Sequence, residues 1–101
     1  MEEIQTITPE ELQKKLEAGE KLELVDVRED EEVAAGMIPG AKHIRMGDIP
    51  VNLDYFDKDK EYIFICRSSG RSGNVCHYLQ DQGYKVRNMV GGMLQWTGET
   101  N

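Results

Sequence analysis

Residues 62–72, Tyr-Ile-Phe-Ile-Cys-Arg-Ser-Ser-Gly-Arg-Ser, constrain the fold more than any other stretch of the chain. The first five are an unbroken apolar run rich in β-branched and aromatic side chains, the pattern of a strand buried on both faces. A polar loop of small residues and two arginines, 67–71, comes next. From Ser72 to Gln82 the pattern turns helical, with Val75, Cys76 and Leu79 on the buried side and Gly83 as the stop. A buried strand, a short loop and a helix in this order predict an α/β fold, with a mostly parallel central sheet and helices on both faces. In such sheets ligands bind beyond the carboxyl ends of the strands. Cys66 stands at that end, facing the start of the next helix.

The rest of the chain fits the same alternation. Thr8 is placed to cap a first helix, Pro9 suits its first position, and Glu11 completes a capping box. Ile7 and Leu12 stand where a hydrophobic staple joins, Leu12 and Leu16 share a face, and Gly19 ends the helix. Residues 22–27 read as a buried strand and 29–35 as an acidic helical turn stopped by Gly36. A turn at Pro39-Gly40 leads to a short strand around His43 and Ile44. Residues 46–60 read as loop plus a short helix, 84–90 as a last strand, and 92–96 as a final helical turn. Arg28 and Glu32, four apart, are expected to form a local ion pair.

The loop after residue 66 has the makings of an anion site. Unpaired N–H groups and the dipole at a helix N-terminus favour negative charge. Ser68, Ser69 and Gly70 are small enough for the backbone to curl and aim N–H groups inward. Arg67 and Arg71 add positive charge, with Arg71 expected to be exposed. Each of these features favours a thiolate at Cys66 over a thiol, and the thiolate is the nucleophile. Cys76, on the apolar side of the helix, is expected to be core packing. His77 reads as a solvated helix residue and His43 as a strand residue, neither with a catalytic role.

Composition narrows the partners. The 101 residues suit one domain, 1–101. Nineteen acidic residues against 12 basic ones give a net charge of −7, the wrong sign for a nucleic-acid backbone. A cationic spot at Arg67 and Arg71 on an acidic chain points to a small anionic ligand. Two cysteines and two histidines without a C-x2-C pair make no zinc site. No apolar stretch is long enough for a membrane span. The opening Met-Glu-Glu-Ile-Gln-Thr-Ile-Thr lacks a basic start and an apolar run, so no secretory signal is read and a cytoplasmic location is expected.

Four motifs then resemble the rhodanese family in its own order. Asp26-Val27-Arg28-Glu29 with Glu32 resembles DVRExxE. Residues 36–41, Gly-Met-Ile-Pro-Gly-Ala, resemble the GHIPGA turn with Met37 in place of histidine. Residues 66–72 resemble the active-site loop, and residues 91–96, Gly-Gly-Met-Leu-Gln-Trp, resemble GGxxxW. The resemblance implies a rhodanese-like fold and a sulfurtransferase whose Cys66 carries a transferable sulfur as a persulfide. It implies that Arg67, Ser68, Ser69, Gly70, Arg71 and Ser72 bind the anionic donor and the persulfide. Asp26 and Arg28 become supporting residues, and Gly91 and Gly92 pass close to the loop. The donor is a small sulfur anion, thiosulfate being favoured by the doubly basic loop. The acceptor is cyanide, a thiol, or a protein such as a thioredoxin or cysteine desulfurase, and no cofactor is implied. Two alternatives stand beside this reading. Phosphatases and arsenate reductases of similar fold use C-x5-R, whereas four residues separate Cys66 from Arg71 here. Non-catalytic interaction domains of this type have lost the cysteine, which this chain keeps.

Overall fold

A computed structural model describes residues 3–101. The acidic opening at Met1 and Glu2, used above in reading the N-terminus, lies outside the described residues. Five strands, β1 (Gln5–Ile7), β2 (Glu23–Asp26), β3 (Lys42–His43), β4 (Glu61–Ile65) and β5 (Lys85–Met89), form one sheet in the order β1-β5-β4-β2-β3. All four pairings are parallel. Three α-helices, α1 (Pro9–Glu17), α2 (Asp30–Val33) and α3 (Gly70–Gln80), lie in the connections. The stretch 46–60 holds two 3₁₀ segments, Met46–Asp48 and Pro50–Tyr55, and a third, Gly92–Gln95, follows β5.

The two faces of β4 explain why the sheet is covered on both sides. Tyr62, Phe64 and Cys66 alternate onto one face and pack with Val75, Cys76 and Leu79 of α3. Ile63 and Ile65 point the other way, into a cluster with Ile7, Leu12, Ile38 and Met89 against which Leu16, Met93 and Trp96 lean. Phe64 and Ile65 are both fully buried, so β4 is the centre of two cores. Truncating such a side chain costs about 3–5 kcal/mol for phenylalanine.

α1 starts as its residues demand. The Thr8 hydroxyl accepts from Glu11 N at 3.1 Å and Glu11 returns the bond to Thr8 N at 3.0 Å. Ile7 and Leu12 share one cluster, which is the staple. Two details differ from the sequence reading. The chain begins its sheet with β1, a strand along β5 whose single buried residue, Ile7, carries no periodic signal. α3 begins at Gly70, two residues before Ser72, because Ser69 turns the backbone into the helix at φ 102°.

Candidate active site

The site lies where β4 gives way to α3. Cys66 is fully buried, and its surroundings separate it from an ordinary core cysteine. Ser69 N–H donates to Sγ at 3.0 Å, and the Ser72 hydroxyl, one turn into α3, lies 3.2 Å from it. Burial pushes the thiol up, but these donors outweigh it. The Ser72 hydroxyl and the N–H groups of Ser72, Ser69 and Ser68 hold Cys66 below the ordinary thiol range. Cys76, ten residues on and equally buried, has no such donors, and burial raises it to about 12. The same residue type in the same core thus takes opposite directions, and the loop backbone makes the difference.

The N–H groups turn inward because the carbonyls are held outward. Met93 N–H donates to Cys66 O at 2.9 Å and Leu94 N–H to Arg67 O at 3.0 Å, both from the 3₁₀ segment after β5. Gly73 N–H takes Ser69 O at 2.9 Å. Gly92 makes the approach possible. A Cβ there would run into the carbonyl of Arg67 and stand 2.6 Å from Cys66 O, and its φ of +58° is left-handed. Ser69, the non-glycine residue with positive φ among the described residues, supplies the reversal that brings its own N–H onto the sulfur.

The two arginines have different fates. Arg67 is exposed and makes none of the ion pairs among the described residues. Arg71 was expected exposed as well, but its side chain is 29% exposed and its guanidinium grips Glu32 with two bonds of 2.6 and 2.8 Å. Glu32 is pulled down to about 2, first by the Arg71 bonds and then by Glu29 N–H. The Arg28–Glu32 ion pair expected from i,i+4 spacing is therefore corrected. Arg28 instead binds the buried Asp26 through Nε and Nη2 at 2.9–3.1 Å, reaching only the Glu32 backbone carbonyl and Gly36 O. Asp26 sits at the end of β2, in register with Ile65, too close to Arg28 for Glu32 to compete. The largest lowering influences on the thiol are the hydrogen-bond donors of Ser72, Ser69 and Ser68, while Arg71, engaged by Glu32, still feels the sulfur's charge.

Sequence reasoning passed over one member of the site. Asn88 of β5 is 8% exposed; its Oδ1 accepts from the Ser72 hydroxyl at 2.5 Å and its Nδ2 donates to Ser69 O at 3.2 Å. The signal was a buried asparagine inside a strand, where that residue type is depleted. His43 Nε2 bonds Arg28 O at 2.7 Å, and His77 is exposed. Among the described residues no group of three or more His, Cys, Asp or Glu side chains is placed to hold a metal.

A model of the rhodanese-like domain matches residues 8–99. The chain belongs to the rhodanese-like family. It is 62% identical over 98 residues to a Bacillus subtilis protein named "Putative sulfurtransferase YtwF", across 97% of this chain and 95% of that one. It is 39% identical over 94 residues to the "Sulfurtransferase" of Allochromatium vinosum, covering 92% and 88% respectively. A crystal structure of a rhodanese-like domain protein from Staphylococcus aureus superposes with a TM-score of 0.92 at 41% identity, over 97% of each chain. Three of the four rhodanese-like motifs noted in the sequence fall around one point: the end of β2, the loop before α3, and the glycine pair that closes on that loop.

Proposed function

We propose that this chain is a sulfurtransferase of the rhodanese type, its apparatus contained in one domain over residues 1–101, with Cys66 as the nucleophile. The observation that carries the reading is the Cys66 sulfur held by Ser69 N–H and the Ser72 hydroxyl, which favours a thiolate where the second buried cysteine stays a thiol. The thiolate attacks the outer sulfur of a donor such as thiosulfate. The S–S bond of the donor breaks, sulfite leaves with the electron pair, and Cys66 keeps one sulfur as a persulfide. An acceptor thiolate then attacks that terminal sulfur and restores the Cys66 thiolate. Cyanide can stand in for the thiol, and a thioredoxin or cysteine desulfurase is a fitting protein partner. Arg67, in no ion pair among the described residues, draws the anionic donor. Ser68, Ser69 and Ser72 turn their N–H groups to the sulfur, Gly70 and Arg71 complete the loop that receives the donor, and Arg71 acts through its hold on Glu32. Two thiol-disulfide-like exchanges balance without a cofactor. Reduced thiols and the absence, among the described residues, of a helix long and apolar enough to cross a membrane fit a cytoplasmic setting.

Intact mass after exposure to thiosulfate tests the reading. The expected result is one added sulfur on the wild type and on Cys76→Ser, none on Cys66→Ser, and release of the sulfur by cyanide. No sulfur uptake from any anionic or thiol-borne donor would overturn it in favour of a non-catalytic domain. An aryl phosphate provides the second arm. The four-residue gap between Cys66 and Arg71 is one short of the C-x5-R cradle, so hydrolysis should be negligible. Cys66-dependent phosphate release faster than sulfur transfer would replace the assignment with a phosphatase.

A further inference from the structure

We propose that Asn88 is a positioning residue for the sulfur chemistry, competing with Cys66 for the single hydroxyl proton of Ser72. The inference rests on the sulfurtransferase reading for its meaning but on the geometry alone for its mechanism. Ser72 Oγ lies 3.2 Å from Cys66 Sγ, 2.5 Å from Asn88 Oδ1 and 3.3 Å from Ser69 O. A serine has one proton to give. The orientation of the Asn88 amide follows from its other end: Nδ2 meets the Ser69 carbonyl at 3.2 Å, and reversing the amide would set oxygen against oxygen there. Oδ1 therefore faces Ser72 as an acceptor.

The proton's position then follows the charge on Sγ. When Cys66 is a thiolate, the hydroxyl turns to the sulfur and Asn88 Oδ1 loses its donor inside a buried site. When Sγ is neutral, as a thiol or as the inner sulfur of a persulfide, the hydroxyl turns back to Asn88 at the shorter contact. A thiol S–H can then donate to Oγ. No bond to oxygen breaks; only the O–H torsion changes. Asn88 thus favours the neutral inner sulfur, and in the sulfur-transfer cycle that is the loaded form. The charged groups on the elements that meet here are the Arg71–Glu32 pair of α3 and α2, Asp26 at the end of β2 with Arg28 just beyond it, and Arg67 on the loop. The 3₁₀ segment over the loop, Gly-Met-Leu-Gln, carries no charge, and Cys76 stays neutral. All of these are unchanged by a substitution at Asn88.

The test is the pH dependence of Cys66 alkylation by iodoacetamide, followed by mass, in the wild type, Ser72→Ala, Asn88→Leu and the double variant. Ser72→Ala removes a donor and should shift the midpoint to higher pH. Asn88→Leu frees the hydroxyl for the sulfur and should shift it lower by about half a unit, a threefold gain in thiolate on the acid side. The double variant should match Ser72→Ala, because Asn88 acts only through that hydroxyl. Loosening of the loop would move all variants to higher pH, so a midpoint raised by Asn88→Leu overturns the proposal. So does a shift of equal size with and without Ser72. Asn88→Ala, which adds no bulk, replaces the leucine variant if that one does not fold, and Ser69 O keeps Gly73 N–H in either case. Sulfur loading by thiosulfate is scored separately. Its failure in the wild type would sink the sulfurtransferase reading while the sign of the alkylation shift still decides the competition.

Discussion

At the scale of single residues, Arg67 and Arg71 look equivalent in the sequence and differ in the structure, because the Glu32 carboxylate binds Arg71 and not Arg67. Their substitutions should separate accordingly. Arg67→Ala is expected to raise KM for thiosulfate several-fold while leaving the melting temperature within error. Arg71→Ala leaves Glu32 unpaired in a half-buried setting and should cost roughly 1–2 kcal/mol of stability, read by urea denaturation. Equal KM effects with no loss of stability would mean that Arg71, too, faces the donor. Ser69 makes a second residue-scale case. Its φ of 102° strains any side chain, and its hydroxyl caps nothing. Ser69→Gly should therefore keep or slightly raise the melting temperature and preserve sulfur loading, since the N–H on the sulfur remains. Ser69→Val should lower both.

Elements were legible where short-range chemistry fixes them. The Thr8–Glu11 box, the staple at Ile7 and Leu12, and the apolar run of β4 all depend on neighbours within five residues, so spacing alone discloses them. β1 was not legible. Its three residues bury one side chain and exist as a strand only because β5 lies alongside. The Arg71–Glu32 bonds span 39 positions, and no local pattern announces a partner so distant. The i,i+4 spacing of Arg28 and Glu32 misled for the opposite reason, since Asp26, two residues away, holds Arg28 first. Asn88 was hidden among the polar residues of Lys-Val-Arg-Asn-Met, where nothing in the sequence marks it as the buried one. The 3₁₀ segment after β5 gives the element-scale prediction. Gly92→Ala adds a Cβ against the Arg67 carbonyl in a left-handed conformation and should destabilise by roughly 2–5 kcal/mol. Gly91→Ala shares the left-handed φ but meets only the flexible Gln95 side chain, so it should cost less by calorimetry. A tolerated Gly92→Ala with normal sulfur loading would show that the segment can withdraw from the loop.

For the molecule as a whole, α2 is tied to α3 by one carboxylate, and acid reads out that tie. Glu32 falls from an ordinary 4.5 to about 2 on folding, first through its Arg71 bonds. A lowered folded value contributes stability that is complete above the unfolded value and lost as pH falls through the folded one. The stability gap between wild type and Glu32→Gln should be constant above about pH 4.5, narrow between there and about pH 2, and vanish below. A gap unchanged across that window in denaturant titrations would place the pair's contribution elsewhere. The closing of the sulfur loop by Met93 and Leu94 has a consequence in time as well as space. During synthesis Cys66 leaves the ribosome before the segment that pins its carbonyl, at roughly 5–20 residues per second. Until Gly92 has passed under Arg67, the Cys66 and Arg67 carbonyls lack the Met93 and Leu94 N–H groups that hold them outward. The thiol therefore spends its exposed, unfolded interval at ordinary reactivity, and its pKa is lowered only when the last elements dock. Assembly order shields the nascent chain from the chemistry that the finished fold promotes.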